Sequence, residues 1–262
     1  MKVVINDLSF SYEKKQIFSH CNYIFEDNMI TVLLGRNGVG KTTLLNLLAG
    51  TEIFDSSISY DNNQKSKISS SEYGYMSDEF FFYKELTVRQ TCFLIAKIRD
   101  IDVVFFEKDY KKYISLLMLT EYENVLVNDL SFGTKQRLHL FLTIIHNPTV
   151  LFLDEPTNGL DPEQIFVFKN LLTSLKKEGK NIIISTHSLK LAEDIADKVV
   201  VLFDKKLIEI ERGAELEKSY LAMYEGENQV KQDGMIVLKN ISKQFDKKKR
   251  DIYALKDINM DY

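Results

Sequence analysis

Gly35-Arg36-Asn37-Gly38-Val39-Gly40-Lys41-Thr42 fits the pattern G-x-x-x-x-G-K-[ST] and lies between a continuous apolar run, Met29 to Leu34, and a helical pattern over 41–49. This stretch limits the possible folds more than any other. A buried strand must end at a glycine turn, and a helix must begin inside it. Glycines let successive backbone N–H groups turn inward and approach phosphate oxygens with no Cβ in the way. The helix starting at Lys41 adds the positive end of its dipole. Lys41 is then placed to bridge the β- and γ-phosphates of a nucleotide, and the Thr42 hydroxyl to ligate magnesium.

A second apolar run, Val150-Leu151-Phe152-Leu153, ends in Asp154-Glu155. Four buried strand residues would deliver two carboxylates to the C-terminal edge of a sheet, beside the phosphate turn. Neighbouring residues at a strand end point in different directions. Asp154 is therefore expected on the metal side and Glu155 as the general base that polarises an attacking water. Asn181 to Ser185 reads as a third buried strand, and runs of this kind suit a parallel sheet covered on both faces. Helices are expected at 41–49, 87–99, 108–118, 134–146, 162–178 and 189–196; Asp161-Pro162 and Ser188 are start signals for the last two. Val3 to Tyr12 and Ile17 to Phe25 read as an antiparallel hairpin, and the Ser-, Asn- and Lys-rich residues 55–72 as an exposed loop. The predicted class is α/β.

The ordered set of motifs resembles the ATP-binding cassette (ABC) ATPases over residues 1–212. Leu130-Ser131-Phe132-Gly133-Thr134 looks like that family's signature, Asn158-Gly159-Leu160-Asp161 its D-loop, and Ser185-Thr186-His187 its switch histidine. Tyr12 takes the place of the aromatic that stacks on adenine. The resemblance implies a P-loop NTPase fold with an antiparallel N-terminal β-subdomain and a helical subdomain at about 80–145. It implies ATP and Mg2+ as ligands. Tyr12, Gly35, Arg36, Asn37, Gly38, Val39, Gly40, Lys41, Thr42, Thr43, Ser131 and Gly133 would bind ATP. Lys41, Glu155 and His187 would carry catalysis, and Thr42, Asp154 and Asp78 would serve the metal. Two such domains would pair head to tail, as a homodimer or with another ABC domain, each ATP held between the phosphate loop of one and the signature of the other.

Three positions depart from the pattern. Phe132 and Thr134 replace the usual glycine and glutamine of the signature, while Ser131 and Gly133 remain. Asp78 stands where the family carries a glutamine, and it reaches less far and cannot donate a hydrogen bond. The aromatic run Phe80-Phe81-Phe82-Tyr83 falls where the family docks a membrane permease. By resemblance the chain would energise a bacterial exporter from the inner face of the membrane. The alternative is a soluble ABC ATPase acting on ribosomes or nucleic acid.

Composition narrows the partners. Lys+Arg 34 against Asp+Glu 38 makes the chain mildly acidic, so no direct nucleic-acid binding is expected. Cys21 and Cys92 form neither a C-x-x-C pair nor a metal-ligand set, and reduced buried thiols in a cytosolic chain are expected. Val3-Val4-Ile5 and Asp7 do not make the basic-then-apolar pattern of a signal peptide. The uncharged run Leu138 to Leu153 holds His139, His146 and Pro148, and falls short of the roughly 20 apolar residues that span a bilayer.

At 262 residues the length corresponds to about 1.7 domains. Val237 to Phe245 repeats the pattern of Val4 to Tyr12 at an offset of 233. With Tyr253 to Asn259 it resembles the opening of a second cassette beginning near Met235, with Phe245 as its aromatic and Lys247 to Arg250 as a solvated turn. The expected organisation is a cassette at 1–212, a linker at 213–234 and an incomplete second start at 235–262.

Overall fold

The computed structural model describes residues 1–52, 57–61, 65–213, 215–229, 237–245 and 252–261. They form two compact units, Met1–Glu217 and Lys218–Tyr262. The first opens with strands β1 (Val3–Tyr12) and β2 (Lys15–Phe25), followed by β3 (Ile30–Leu34), α1 (Lys41–Ala49), β4 (Ile58–Tyr60) and β5 (Tyr73–Met76). Helices α2 (Val88–Ile98), α3 (Val103–Leu116) and α4 (Phe132–Ile144) come next. The chain continues through β6 (Val150–Asp154), α5 (Pro162–Lys177), β7 (Asn181–Thr186), α6 (Leu189–Ile195), β8 (Lys198–Phe203), β9 (Lys206–Ile210) and α7 (Leu216–Gln229). The class is α/β, as the alternating pattern predicts.

A six-stranded sheet in the order β5-β6-β7-β3-β8-β9 forms the centre. All of its pairs are parallel except β8 with β9. Every residue of β3, β6 and β7 is buried, which is why these strands read as continuous apolar runs. The order sets the site. The parallel strands β5, β6, β7 and β3 all end at one edge, so Asp78, Asp154-Glu155, His187 and the glycine turn after Leu34 are delivered there together.

A separate antiparallel sheet, β2-β1-β4, carries Tyr12. Strand β4 corrects the expected loop at 55–72. Ile58 and Tyr60 are buried, Tyr60 donates its hydroxyl proton to the Leu48 carbonyl at 2.8 Å, and Ile58 pairs with Ile5. Only two alternating apolar residues mark the strand, too few to stand out among polar neighbours.

Local signals explain the helix ends. Thr87 and Asp161 cap α2 and α5 in reciprocal boxes with Gln90 and Gln164, and Ser188 caps α6. Helix α3 starts earlier than the expected 108 because the Asp102 carboxylate accepts the Val104 N–H at 2.9 Å. Helix α4 likewise starts at Phe132, with Ser131 as its cap. Buried Arg137 of α4 donates to the carbonyls of Leu117 and Met118, both at 2.7 Å, and so caps the end of α3. Strands β8 and β9, absent from the sequence expectations, are joined by Asp204 and Lys205, both at positive φ. Cys21 and Cys92 are free and buried, as expected.

In the second unit β10 (Val237–Phe245) pairs antiparallel with β11 (Ile252–Asp261). Its register breaks lie between Leu238 and Ile241, Ile241 and Lys243, and Lys243 and Gln244. In β1 they lie between Ile5 and Leu8, Leu8 and Phe10, and Phe10 and Ser11, the same places at the offset of 233. Met235 and the turn at Lys247 to Arg250 fall outside the described residues. The expected linker at 213–234 contains α7.

Gly74 of β5 lets α4 lie directly on the sheet. A Cβ there would come 2.8 Å from Leu151 Cδ2 and 3.0 Å from Thr143 Cγ2. Gly74→Ala should destabilise the fold by about 1–3 kcal/mol, roughly 2–10 °C in Tm, measured by thermal unfolding.

Candidate active site

The phosphate turn is built by conformations that exclude side chains. Gly38 and Gly40 have φ of 77° and 115°, and a Cβ on Gly40 would lie 2.5 Å from Ile17 Cγ2. Gly40 is therefore required both by backbone conformation and by its neighbour. It caps α1 without any side-chain hydrogen bond, which leaves the first N–H groups of the helix directed at the turn. Lys41 is 7% exposed and folds back along the turn. Its Nζ donates to the Gly35 carbonyl at 2.9 Å and the Arg36 carbonyl at 3.4 Å, and lies 3.6 Å from Glu155 Oε1.

Asp154 is 1% exposed and accepts two hydroxyl protons. Thr42 Oγ1 donates to one oxygen at 2.5 Å, and Ser185 Oγ donates to the other in a very short bond. Burial pushes the Asp154 carboxyl above the ordinary aspartate range; the two hydroxyls oppose this, and the charges of Asp78 and Glu155 add to it. A partly dehydrated carboxylate beside a hydroxyl is a hard oxygen pair of the kind Mg2+ prefers. Among the described residues no cluster of three or more His, Cys, Asp or Glu forms a protein-only metal cage. The residues present fit the ion.

Glu155 follows with φ of 44°, a left-handed backbone that costs a non-glycine residue about 1–2 kcal/mol. Backbone hydrogen bonds hold it. Its N–H donates to the Ser185 carbonyl at 3.1 Å and to Ser185 Oγ at 3.3 Å, and its own carbonyl accepts from Gln136 Nε2 at 3.3 Å. The kink turns its carboxylate away from that of Asp154. One Glu155 oxygen faces Lys41, and the other lies 3.0 Å from His187 Nδ1.

Tyr12, Asn37, Gly38, Gly40, Lys41, Thr42, Thr43, Asp78, Asp154, Glu155 and His187 line one cavity of about 500 Å³. Gly35, Arg36 and Val39 complete the turn beside it. Tyr12 is 43% exposed at the rim, where Phe10 meets its ring edge-on and its hydroxyl donates to Glu52 at 3.1 Å. Ser131 and Gly133 do not line this cavity. They stand at the start of α4, where Ser131 Oγ accepts the Thr134 N–H at 3.2 Å.

Sequence reasoning missed Ser185 and Gln136 as supports of the two carboxylates. Ser185 carried a signal, being a polar residue at the end of an aliphatic strand. Gln136 had none. Of the histidines without an expected role, His139 packs edge-on against Phe80 and Phe82 and His146 bonds the Tyr73 carbonyl at 2.8 Å; burial lowers the pKa of both, His139 to about 4.

Known proteins resemble this chain in sequence and in fold. The sequence pattern of the ABC transporter family matches residues 18–158. The chain is 34% identical over 212 residues to the bacitracin transport ATP-binding protein BcrA of Bacillus licheniformis, covering 78% of this chain and 67% of that one. It is 30% identical over 217 residues to the lantibiotic transport ATP-binding protein SrtF of Streptococcus pyogenes, covering 82% and 90%. A solved ATP-binding subunit of an ABC transporter shares the fold at 23% identity, with a TM-score of 0.78 over 86% of this chain and 100% of that one. The chain belongs to the ABC transporter family as an ATP-binding subunit, and members of this family hydrolyse ATP.

The raised Asp154 pKa has a stability consequence. The folded chain binds this proton more tightly than the unfolded one, so stability falls as pH rises from the ordinary aspartate range through the folded pKa. The full cost is present once the pH is above the folded pKa. Asp154→Asn should therefore raise the Tm of the nucleotide-free protein by about 2–4 °C at pH 7, and the gain should shrink on acidification. The same variant should lose Mg2+-dependent ATP binding, measured by titration with and without EDTA.

Proposed function

We propose that this chain is the ATP-hydrolysing subunit of an exporter, and that it pairs head to tail with a second ABC domain around bound ATP. The observation that carries the reading is the division of the site. Lys41, Thr42, Asp154, Glu155 and His187 share one cavity, while Ser131 and Gly133 stand outside it at a helix start. A partner's Ser131 hydroxyl and Gly133 N–H would supply donors to the γ-phosphate, and one such donor is worth about 10²–10³ in rate.

The roles follow from the contacts. Lys41 exchanges its backbone carbonyls for phosphate oxygens, and the glycine N–H groups hold the β-phosphate. Glu155 accepts a proton from the attacking water as that water closes on the γ-phosphate. His187, already bonded to Glu155, orients the carboxylate and hydrogen-bonds the γ-phosphate. Thr42 and Asp154, with Asp78, would hold Mg2+, which would neutralise charge on the phosphates. Tyr12 stacks on the adenine.

A groove of about 410 Å³ on the helical part is lined by Phe81, Phe82, Tyr83, Leu94, Ile95 and Ile98. Phe81 is 80% exposed, which suits an apolar segment of an integral membrane permease. Among the described residues no helix is long and apolar enough to cross a membrane. The names of the bacitracin and lantibiotic relatives support a role in transport. The chain would work at the cytoplasmic face of the membrane. We also read 235–262 as the opening hairpin of a second cassette, supported by the repeated register breaks.

Glu155→Gln should lower kcat for ATP hydrolysis by about 10²–10⁴ while leaving ATP affinity within a fewfold. It should also accumulate an ATP-bound dimer in sedimentation velocity. Hydrolysis unchanged in this variant would remove Glu155 as base. Asp78→Gln and Asp78→Ala should both change ATPase activity, and no change in either would remove Asp78 from the site. Affinity capture from membranes should recover a permease; recovery of ribosomes in its place would overturn the exporter reading.

A further inference from the structure

Phe132 is a large apolar ring left 51% exposed at the first position of α4. Its ring meets both Phe80 and Gly159. Its ring lies 5.1 Å from that of Phe80, centroid to centroid. On Gly159, an added Cβ would come 2.7 Å from Phe132 Cε1 and closer still to Cδ1. Gly159 has φ of 71°, so it is glycine by conformation and also by the ring that covers it.

The ring joins two sides of the molecule. Phe80 stacks on Phe82 at 5.5 Å and 14°, and Phe82 lines the apolar groove. Gly159 lies in the tight turn that leaves Glu155. Asn158 N–H closes that turn on the Glu155 carbonyl at 3.2 Å, and Leu160 N–H closes on the Thr157 carbonyl at 3.2 Å. The backbone of α4 presses on the same turn, since a Cβ on Gly133 would come 2.6 Å from the Gly159 carbonyl oxygen. A shift at Gly159 therefore reaches Glu155 through one short, hydrogen-bonded turn.

We propose that Phe132 is a positioning residue for hydrolysis: wedged between Phe80 and Gly159, it sets the turn that aims Glu155 and links that aim to the occupant of the groove. The inference rests on Glu155 being the base. Phe132 does not line the cavity that holds Lys41 and Glu155 of its own chain, so its effect through Gly159 falls on the chemical step in that cavity. Small displacements of a catalytic group can cost up to about 10²-fold in rate.

The test is steady-state ATP hydrolysis by the full chain with single and paired substitutions. Phe132→Ala should lower kcat about 5–10-fold with KM for ATP within about twofold, and Phe132→Leu should recover at least about half of the loss. Gly159→Ala should lower kcat at least about 10-fold alone and by a clearly smaller factor in the Phe132→Ala background, because the clash with the ring is then gone and only the strain of the positive φ remains. A wild-type kcat in Phe132→Ala, no recovery in Phe132→Leu, or losses that simply multiply would overturn the proposal. So would a loss accounted for by a smaller nucleotide-binding fraction at constant turnover per site. Wild-type protein with no hydrolysis, or normal hydrolysis by Glu155→Gln, would instead overturn the underlying functional reading.

Discussion

A carboxylate at the end of a buried strand must be solvated by the protein, because an isolated buried charge is costly. Asp154 is that group, and much of the site can be traced to how it is held. Ser185 reaches it from the neighbouring strand β7, at the position paired with it in the sheet. Thr42 reaches it from α1, the helix that the phosphate turn launches. The two hydroxyls do not remove the penalty of burial, since the carboxyl still sits above its ordinary range. The residual cost leaves a site that favours any cation offering a better partner than a hydroxyl.

Strand order makes this arrangement possible. β3 and β6 are separated by β7, so the phosphate turn and the acidic strand end lie two strand spacings apart, about 10 Å. That gap is too wide for the two backbones to touch and wide enough for a phosphate chain with a metal beside it. Helix α1 leaves the turn across β7 and β6 and brings Thr42 over to Asp154. The adjacent residue Lys41 remains with the turn and faces Glu155. Two consecutive residues at one helix start thus address two carboxylates at one strand end. The kink at Glu155 keeps those carboxylates from competing for the same place.

What was legible in the sequence was local. The phosphate turn, the acidic strand end and the caps at Asp161 and Ser188 are each encoded within a few residues, and each forms where expected. What was not legible depended on contacts made across the chain. Ser185 touches Asp154 over 31 residues and Gln136 touches Glu155 over 19, through strand register and helix docking that no short window contains. Strand β4 was hidden because its stability comes from pairing with β1 and packing on Leu48. Helix α3 was placed late because the apolar periodicity is weak over its first turn, where the capping Asp102 does the work of starting it. The aromatic run at 80–83 was visible, but its partner Phe132 was not, since the two segments meet only after α4 docks.

The hairpin of the second unit bears on how that kind of information is stored. Any two alternating strands share a period of two, so alternation alone says little about relatedness. Each register break inserts a residue that moves all later side chains to the other face. An ordered series of three breaks is a far more demanding pattern. In β1 they come at Ile5/Leu8, Leu8/Phe10 and Phe10/Ser11, and in β10 at the positions 233 residues on. The first hairpin uses these breaks to bend over the core, burying Leu8 and Phe18 while Tyr12 remains exposed at the nucleotide cavity. A second segment that repeats the breaks in order also brings an aromatic residue, Phe245, to the same register position at the strand end as Tyr12, which alternation alone would not reproduce.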